Sequence, residues 1–385
     1  MEIFLLLALI YFSVLVFGFI LEKFRIPWIF GALLLGVLFS SKTLVLNETE
    51  QTTLEILGNL GMLFLLYIIG FEMKLSEYKK HGKYIIKATA FVILFEALLG
   101  GLTLHYIFHY GMKVAFLVAL SLATIGEAVL IPILDEFNLS NTKIGQMIIG
   151  IGTLDDIFEI ISIFLVSLII GSTISAEISV EKSILTLFVL VVLSSMAIKS
   201  KKIIRKEFVH RKIKYFLLAF SMFVFFVFIS IGKYGDMDAI AALLAGITIG
   251  NMMPIKLKEQ IEKEIKVLAY GFFATLFFFN VGLSIKLTSI AFYPILTLII
   301  FIVSNGSKFI AMLPFRKLSL KERIIVATGI CVRFSTSLIV AKLLFMHGIL
   351  DIDLYSALIA SASLSTFIVP FIFTQLLKKY KPENY

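Results

Sequence analysis

The chain has 385 residues, of which 59% are hydrophobic and 16% charged, and Phe alone accounts for 38. Soluble domains average roughly 45–50% apolar and about 25% charged residues, so a soluble enzyme, a disordered chain and a secreted module are excluded. The single Cys, Cys331, excludes a disulfide framework and Cys-rich metal sites, and the net charge of +9 becomes a question of which loops hold it.

A spanning helix needs about 20 mostly apolar residues. Thirteen segments qualify: 2–20, 27–40, 53–71, 84–108, 114–134, 144–170, 183–198, 215–232, 237–253, 266–285, 288–313, 324–346 and 354–376. The second is short and reads as half-buried. The first does not read as a cleavable signal peptide, because Glu2 is the only early charge and a long apolar array follows. The predicted fold class is an all-α polytopic membrane protein of about 13 transmembrane helices.

Of the 35 basic residues, 27 fall in loops after odd-numbered spans and in the tail, with eight between Lys199 and Lys214. Only five (Lys42, Lys113, Lys182, Lys233 and Lys286) fall on the other side. The positive-inside rule then places the N-terminus outside and the C-terminus in the cytoplasm of a multi-pass cell-membrane protein. The surplus reads as topology and attraction to anionic lipid, with no nucleic-acid partner.

Two stretches repeat at a spacing near 212. Leu65 to Leu75 (LLYIIGFEMKL) matches Phe277 to Leu287 (FFFNVGLSIKL), pairing Gly70 with Gly282. Upstream, Gly31 to Gly36 (GALLLG) resembles Ala241 to Gly246 (AALLAG). The third and tenth spans run in opposite directions, and inverted repeats are a signature of secondary transporters. The halves are spans one to six and eight to thirteen, with span seven joining them.

Ionisable residues inside spans are costly and are functional candidates. In the sixth span, Asp155 lies roughly 17 Å from the inner end at 1.5 Å per residue, near mid-membrane. Asp156 points about 100° away from it, so the two acids serve different neighbours. Glu159 lies one turn on. Lys308 sits in the inner half of the eleventh span, and Arg333 is mid-span in the twelfth. Glu127 is mid-span in the fifth. Gly126 and Pro132 there, and Ser335-Thr336-Ser337 after Arg333, predict interrupted helices in equivalent places of the two halves. Such pairs mark transporter binding sites. Arg333 with Glu127 reads equally as a structural ion pair or as function. Glu96, in the fourth span, reads as a satisfied core acid or a proton-linked site, and Lys342 as a residue that snorkels outward. The five His residues lie in or near loops and read as solvated.

Taken together, these residues resemble the monovalent cation:proton antiporters, in the branch that holds the NapA-type and Kef-type proteins. Leu66 to Met73 (LYIIGFEM) is similar to the family's LFxIGLEL segment, and Phe272-Phe273 through Val281-Gly282-Leu283 to its FFxxxGL. Asp155-Asp156 matches the paired aspartates of the electrogenic members, and Lys308 the lysine they carry two helices before the end. The resemblance covers essentially the whole chain. It implies a panel or dimerisation domain (1–80 and 215–286) and a six-helix core with crossed broken helices (81–170 and 287–378). Residues 171–214 then form a linker helix and basic loop. It implies a homodimer moving its core like an elevator, with no cofactor beyond the transported ions. Asp156 would bind Na⁺, Asp155 would pair with Lys308, and Thr124 would lie at the break in the fifth span. Glu127 stands where the family has small or hydroxyl residues. Arg333 is followed by Phe334-Ser335 where Gly-Glu is usual, which suggests that Glu127 takes over the pairing with Arg333. Alternatives on the same fold are a K⁺/H⁺ antiporter, a Kef-type K⁺ efflux system and an organic-anion symporter. No nucleophile-base set or phosphate loop points to an enzyme.

Overall fold

A computed structural model describes every residue except 1–2, 24–26, 41–46, 73–81, 122, 127–129, 131–132, 135–136, 140–141, 153, 156–157, 159–179, 201–213, 236, 254, 286–293, 334 and 381–385. The described residues form helices and turns, with no strand among them. In chain order the first five helices are α1 (Ile3–Lys23), α2 (Phe30–Phe39), α3 (Glu48–Glu72), α4 (Lys83–Tyr106) and α5 (Met112–Ser121). Next come α6 (143–152, resuming at 154–155), α7 (Val180–Lys199), α8 (Lys214–Gly232), α9 (Asp238–Met252) and α10 (Ile255–Leu268). The last are α11 (Ala274–Leu283), α12 (Pro294–Met312), α13 (Leu320–Gly329), α14 (Ser335–Met346) and α15 (Ile352–Lys378).

Eight helical stretches among the described residues are long and apolar enough to cross a membrane. They comprise α1, α3, α4, α7, α8, the continuous stretch Ile261–Leu283, α12 and α15. The second and ninth spans are the short α2 and α9. The fifth and twelfth are interrupted close to the predicted places: α5 stops at Ser121, ahead of Gly126, and α13 stops at Gly329 before α14 resumes at Ser335, so the hydroxyl residues open the second half-helix. The all-helical membrane fold expected from composition is the fold observed. The tenth span begins earlier than predicted. A π-helical turn, Ala269–Phe273, joins α11 to α10, whose interleaved Lys and Glu (IKLKEQIEKEIKVL) suit water or headgroups.

The chain divides into two compact units, residues 1–11, 45–77 and 163–280, and residues 12–44, 78–162 and 281–385. In the first unit α9 is buried almost all round, packed by α3, α7 and α8. Its 15 residues reach about 22 Å, short of the roughly 30 Å hydrocarbon core. Burial inside protein makes that length workable. Lys266 of α10 bridges to Glu72 at 2.6 Å and Glu262 at 2.8 Å.

The sequence repeat reappears as a repeated contact. A Cβ at Gly70 would collide with the Leu243 carbonyl and the Ile247 nitrogen. One at Gly282 would collide with the Leu33 carbonyl and the Val37 nitrogen. Leu33 and Leu243 are aligned residues of the repeat, as are Gly70 and Gly282. Each half's glycine therefore rests on the other half's Leu-bearing helix. Gly246 repeats the theme against the Tyr67 carbonyl.

In the second unit α12 packs on α4, α13 and α15, and α14 packs on α5 and α15. A capping box starts α13: Ser319 Oγ accepts from the Glu322 N–H at 3.3 Å, and Glu322 Oε2 accepts from the Ser319 N–H at 2.6 Å. Asp351 caps α15, accepting from the Leu354 N–H at 2.8 Å. An apolar cluster including Val92, Ile125, Ile148, Val332 and Phe373 surrounds the interruptions.

Gly70→Val is expected to destabilise the protein by about 2 kcal/mol or more, since overpacking against backbone has no side chain to displace. Gly271→Ala, where a Cβ meets nothing within 4 Å, is expected to be close to neutral. Thermal melts of the purified protein in detergent compare the two.

Candidate functional site

The two interruptions meet. The Gly126 N–H donates to the Val332 carbonyl at 2.8 Å, which ties the extended residues after α5 to the end of α13. Backbone groups freed from both helices are thereby partly satisfied without water, as a span interior requires. Asp155 of α6 supplies another acceptor: its Oδ2 takes the Ile125 N–H at 2.7 Å. Thr366 of α15 donates through Oγ1 to the Arg333 carbonyl at 2.7 Å. Thr124 is buried in the same extended segment.

Four ionisable side chains are buried here: Lys308 and Arg333 at 0% exposure, Glu96 at 1% and Asp155 at 2%. Glu96 is their hub. Its Oε1 accepts from Arg333 Nη2 at 2.7 Å and from the Ser304 hydroxyl, which in turn accepts from Arg333 Nη2. Its Oε2 lies 3.4 Å from Lys308 Nζ. Lys308 spends a hydrogen bond on the Ile330 carbonyl at 2.9 Å, at the C-terminal end of α13. Asp155 lies within electrostatic reach of Lys308. With both acids ionised, the four charges cancel. Buried ions cost several kcal/mol each unless paired, so this cancellation is a condition for the fold.

Glu96 is a partner the sequence did not point to. Lys308 forms an ion pair with Glu96 and lies within electrostatic reach of Asp155, which accepts from the backbone of the break. Arg333 donates to Glu96. Glu127, Asp156 and Glu159 lie outside the described residues. Lys342 does not snorkel: it is buried, and its Nζ donates to Ser284 Oγ at 2.8 Å. Glu96 was legible only as a core acid. Its signal was its depth, about 20 Å along α4 at 1.5 Å per residue, comparable with Asp155. A small pocket reaches it, lined among others by Glu96, Gly100, Thr103, Ala119 and Ser304.

Interrupted helices that meet among buried acids and bases define a secondary transporter. The transmembrane sodium/hydrogen exchanger family matches residues 8–379, and the chain belongs to that family. Its members are transporters that exchange cations and protons across membranes. The chain is 26% identical over 388 aligned positions to a Na⁺/H⁺ antiporter of Enterococcus hirae, covering 98% of this chain and 99% of that one. It is 29% identical over 305 positions to the K⁺/H⁺ antiporter subunit KhtU of Bacillus subtilis, covering 77% of this chain and 73% of that one. The structure of the sodium proton antiporter MjNhaP1 from Methanocaldococcus jannaschii superposes with a TM-score of 0.65 at 18% identity, covering 98% and 99% of the two chains. That likeness establishes the fold.

Asp155→Asn keeps an oxygen for the Ile125 N–H but removes one charge from the balanced cluster, and is expected to melt below wild type. Asp155→Ala also orphans that buried donor and is expected to cost about 1–3 kcal/mol more. Melting curves of the two variants measure the difference.

Proposed function

We propose that this chain exchanges Na⁺ or Li⁺ for H⁺ across the cell membrane. The observation that carries the proposal is the crossing itself: in a member of the exchanger family, Asp155, Lys308 and Arg333 converge buried on two interrupted helices tied through Gly126 and Val332. Asp156 is the proposed cation ligand, with Asp155 and Thr124 beside it and freed carbonyls completing an oxygen shell. A small hard cation takes such oxygens. Protons compete for the same carboxylates, and the proton losses of two adjacent acids are coupled. A site emptied of both is charged and crosses hydrocarbon poorly, so loading with one or the other is what lets it move. Exchange follows from that exclusion. The site travels with an elevator-like core against a panel that dimerises, and the N-terminus is outside.

Two acids exchanging two protons for one Na⁺ move a net charge. At 100 mV this is worth about 2.3 kcal/mol, so voltage contributes to the driving force. A transport rate indifferent to membrane potential would count against this stoichiometry.

Kinship with a K⁺/H⁺ antiporter subunit supports a second reading, in which K⁺ is the exchanged ion. Purified protein in liposomes, given Na⁺, Li⁺ or K⁺ in turn while internal pH is followed, separates the two. Na⁺ and Li⁺ are expected to drive proton movement and K⁺ not. Asp156→Asn is expected to abolish exchange while remaining folded, and wild-type exchange by this variant would remove Asp156 from the site.

A further inference from the structure

We infer that Glu96 is a positioning residue for cation binding: it holds the two buried bases, so that the acids at 155–156 keep their charge for the transported ion. This rests on the proposed exchange of a cation at those acids. Lys308 and Arg333 are both fully buried, and the carboxylate 2.7 Å from Arg333 and 3.4 Å from Lys308 belongs to α4, outside both interrupted helices. The Ser304 hydroxyl joins Arg333 to the same carboxylate oxygen, so three side chains from α4, α12 and the break form one unit. Lys308 completes its anchoring on the Ile330 carbonyl at 2.9 Å. Asp155 meanwhile accepts from the Ile125 N–H.

The charge arithmetic gives the consequence. Two bases need two negative charges, and Glu96 supplies one of them from a helix that carries no part of the proposed cation site. If that charge is removed, Lys308 turns to the next acid within its electrostatic reach, Asp155, and Arg333 is left without its carboxylate. The transported cation then competes with protein cations for its own ligands. Glu96 therefore acts through the bases it holds and need not touch the ion.

The test is Na⁺ dependence of exchange in liposomes, with folding checked by size exclusion and melting. Glu96→Gln is expected to raise KM for Na⁺ about tenfold or more, the effect of one unit charge several ångströms away at an effective dielectric near 20. Its kcat is expected to change much less. Glu96→Asp is expected to stay near wild type. The double variant Glu96→Gln with Arg333→Gln removes one charge of each sign and is expected to recover most of the lost affinity. A folded Glu96→Gln with unchanged KM would overturn the inference, and so would a double variant no better than the single one. Arg333→Gln alone supplies an independent test should Glu96→Gln fail to fold: its KM is expected to fall, and an unchanged or higher value overturns the inference. Wild-type protein without any Na⁺-dependent exchange would instead remove the proposed function, a distinct failure.

Discussion

Two basic side chains buried in a membrane protein need a counter-ion close enough to replace water. Glu96 meets that need, bonding Arg333 at 2.7 Å and facing Lys308 at 3.4 Å. Much of the second unit is arranged around this demand. The carboxylate comes from α4, the ammonium from α12, and the guanidinium from the gap between α13 and α14. None of these elements can shift far without leaving a charge uncompensated in surroundings where that is expensive. The ion cluster consequently supplies a register for helices whose apolar faces would tolerate sliding.

The glycine contacts perform the same task without charge. Lipid tails are as apolar as Leu, so membrane helices gain by close backbone approach rather than by hiding apolar surface. Gly70 on Leu243 and Gly282 on Leu33 are such approaches, and they are equivalent positions of the sequence repeat. Each contact lies within its own unit. One structural solution has thus been used twice, once for each half of the chain.

The class of fold and the interruptions were legible because each rests on a local cost. Apolar runs of about 20 residues have nowhere to go but lipid. Gly126 stands in the gap after α5, and the Ser335–Ser337 stretch opens α14 just past the gap after Gly329. The burial of Asp155, Lys308 and Arg333 was legible for the same reason, since a charge within an apolar run advertises itself. Partners were not legible. Which acid faces Lys308 depends on how α4 is rotated about its axis, and no spacing along the sequence encodes that. Lys342 illustrates the same limit: a long stem near a helix end suggests snorkelling, yet Ser284 accepts its hydrogen bond inside the protein. The early start of α10 was missed because its charges resemble those of a loop until their helical phase is considered.

The link between the two interruptions joins a backbone N–H at Gly126 to a backbone carbonyl at Val332. Main-chain groups are present whatever side chain is attached. The crossing can therefore hold its shape while the residues displayed on it drift. The scaffold separates the problem of holding a gap open from the problem of choosing what fills it. A substitution in the gap can then alter its chemistry with no need to rebuild the joint at the same time.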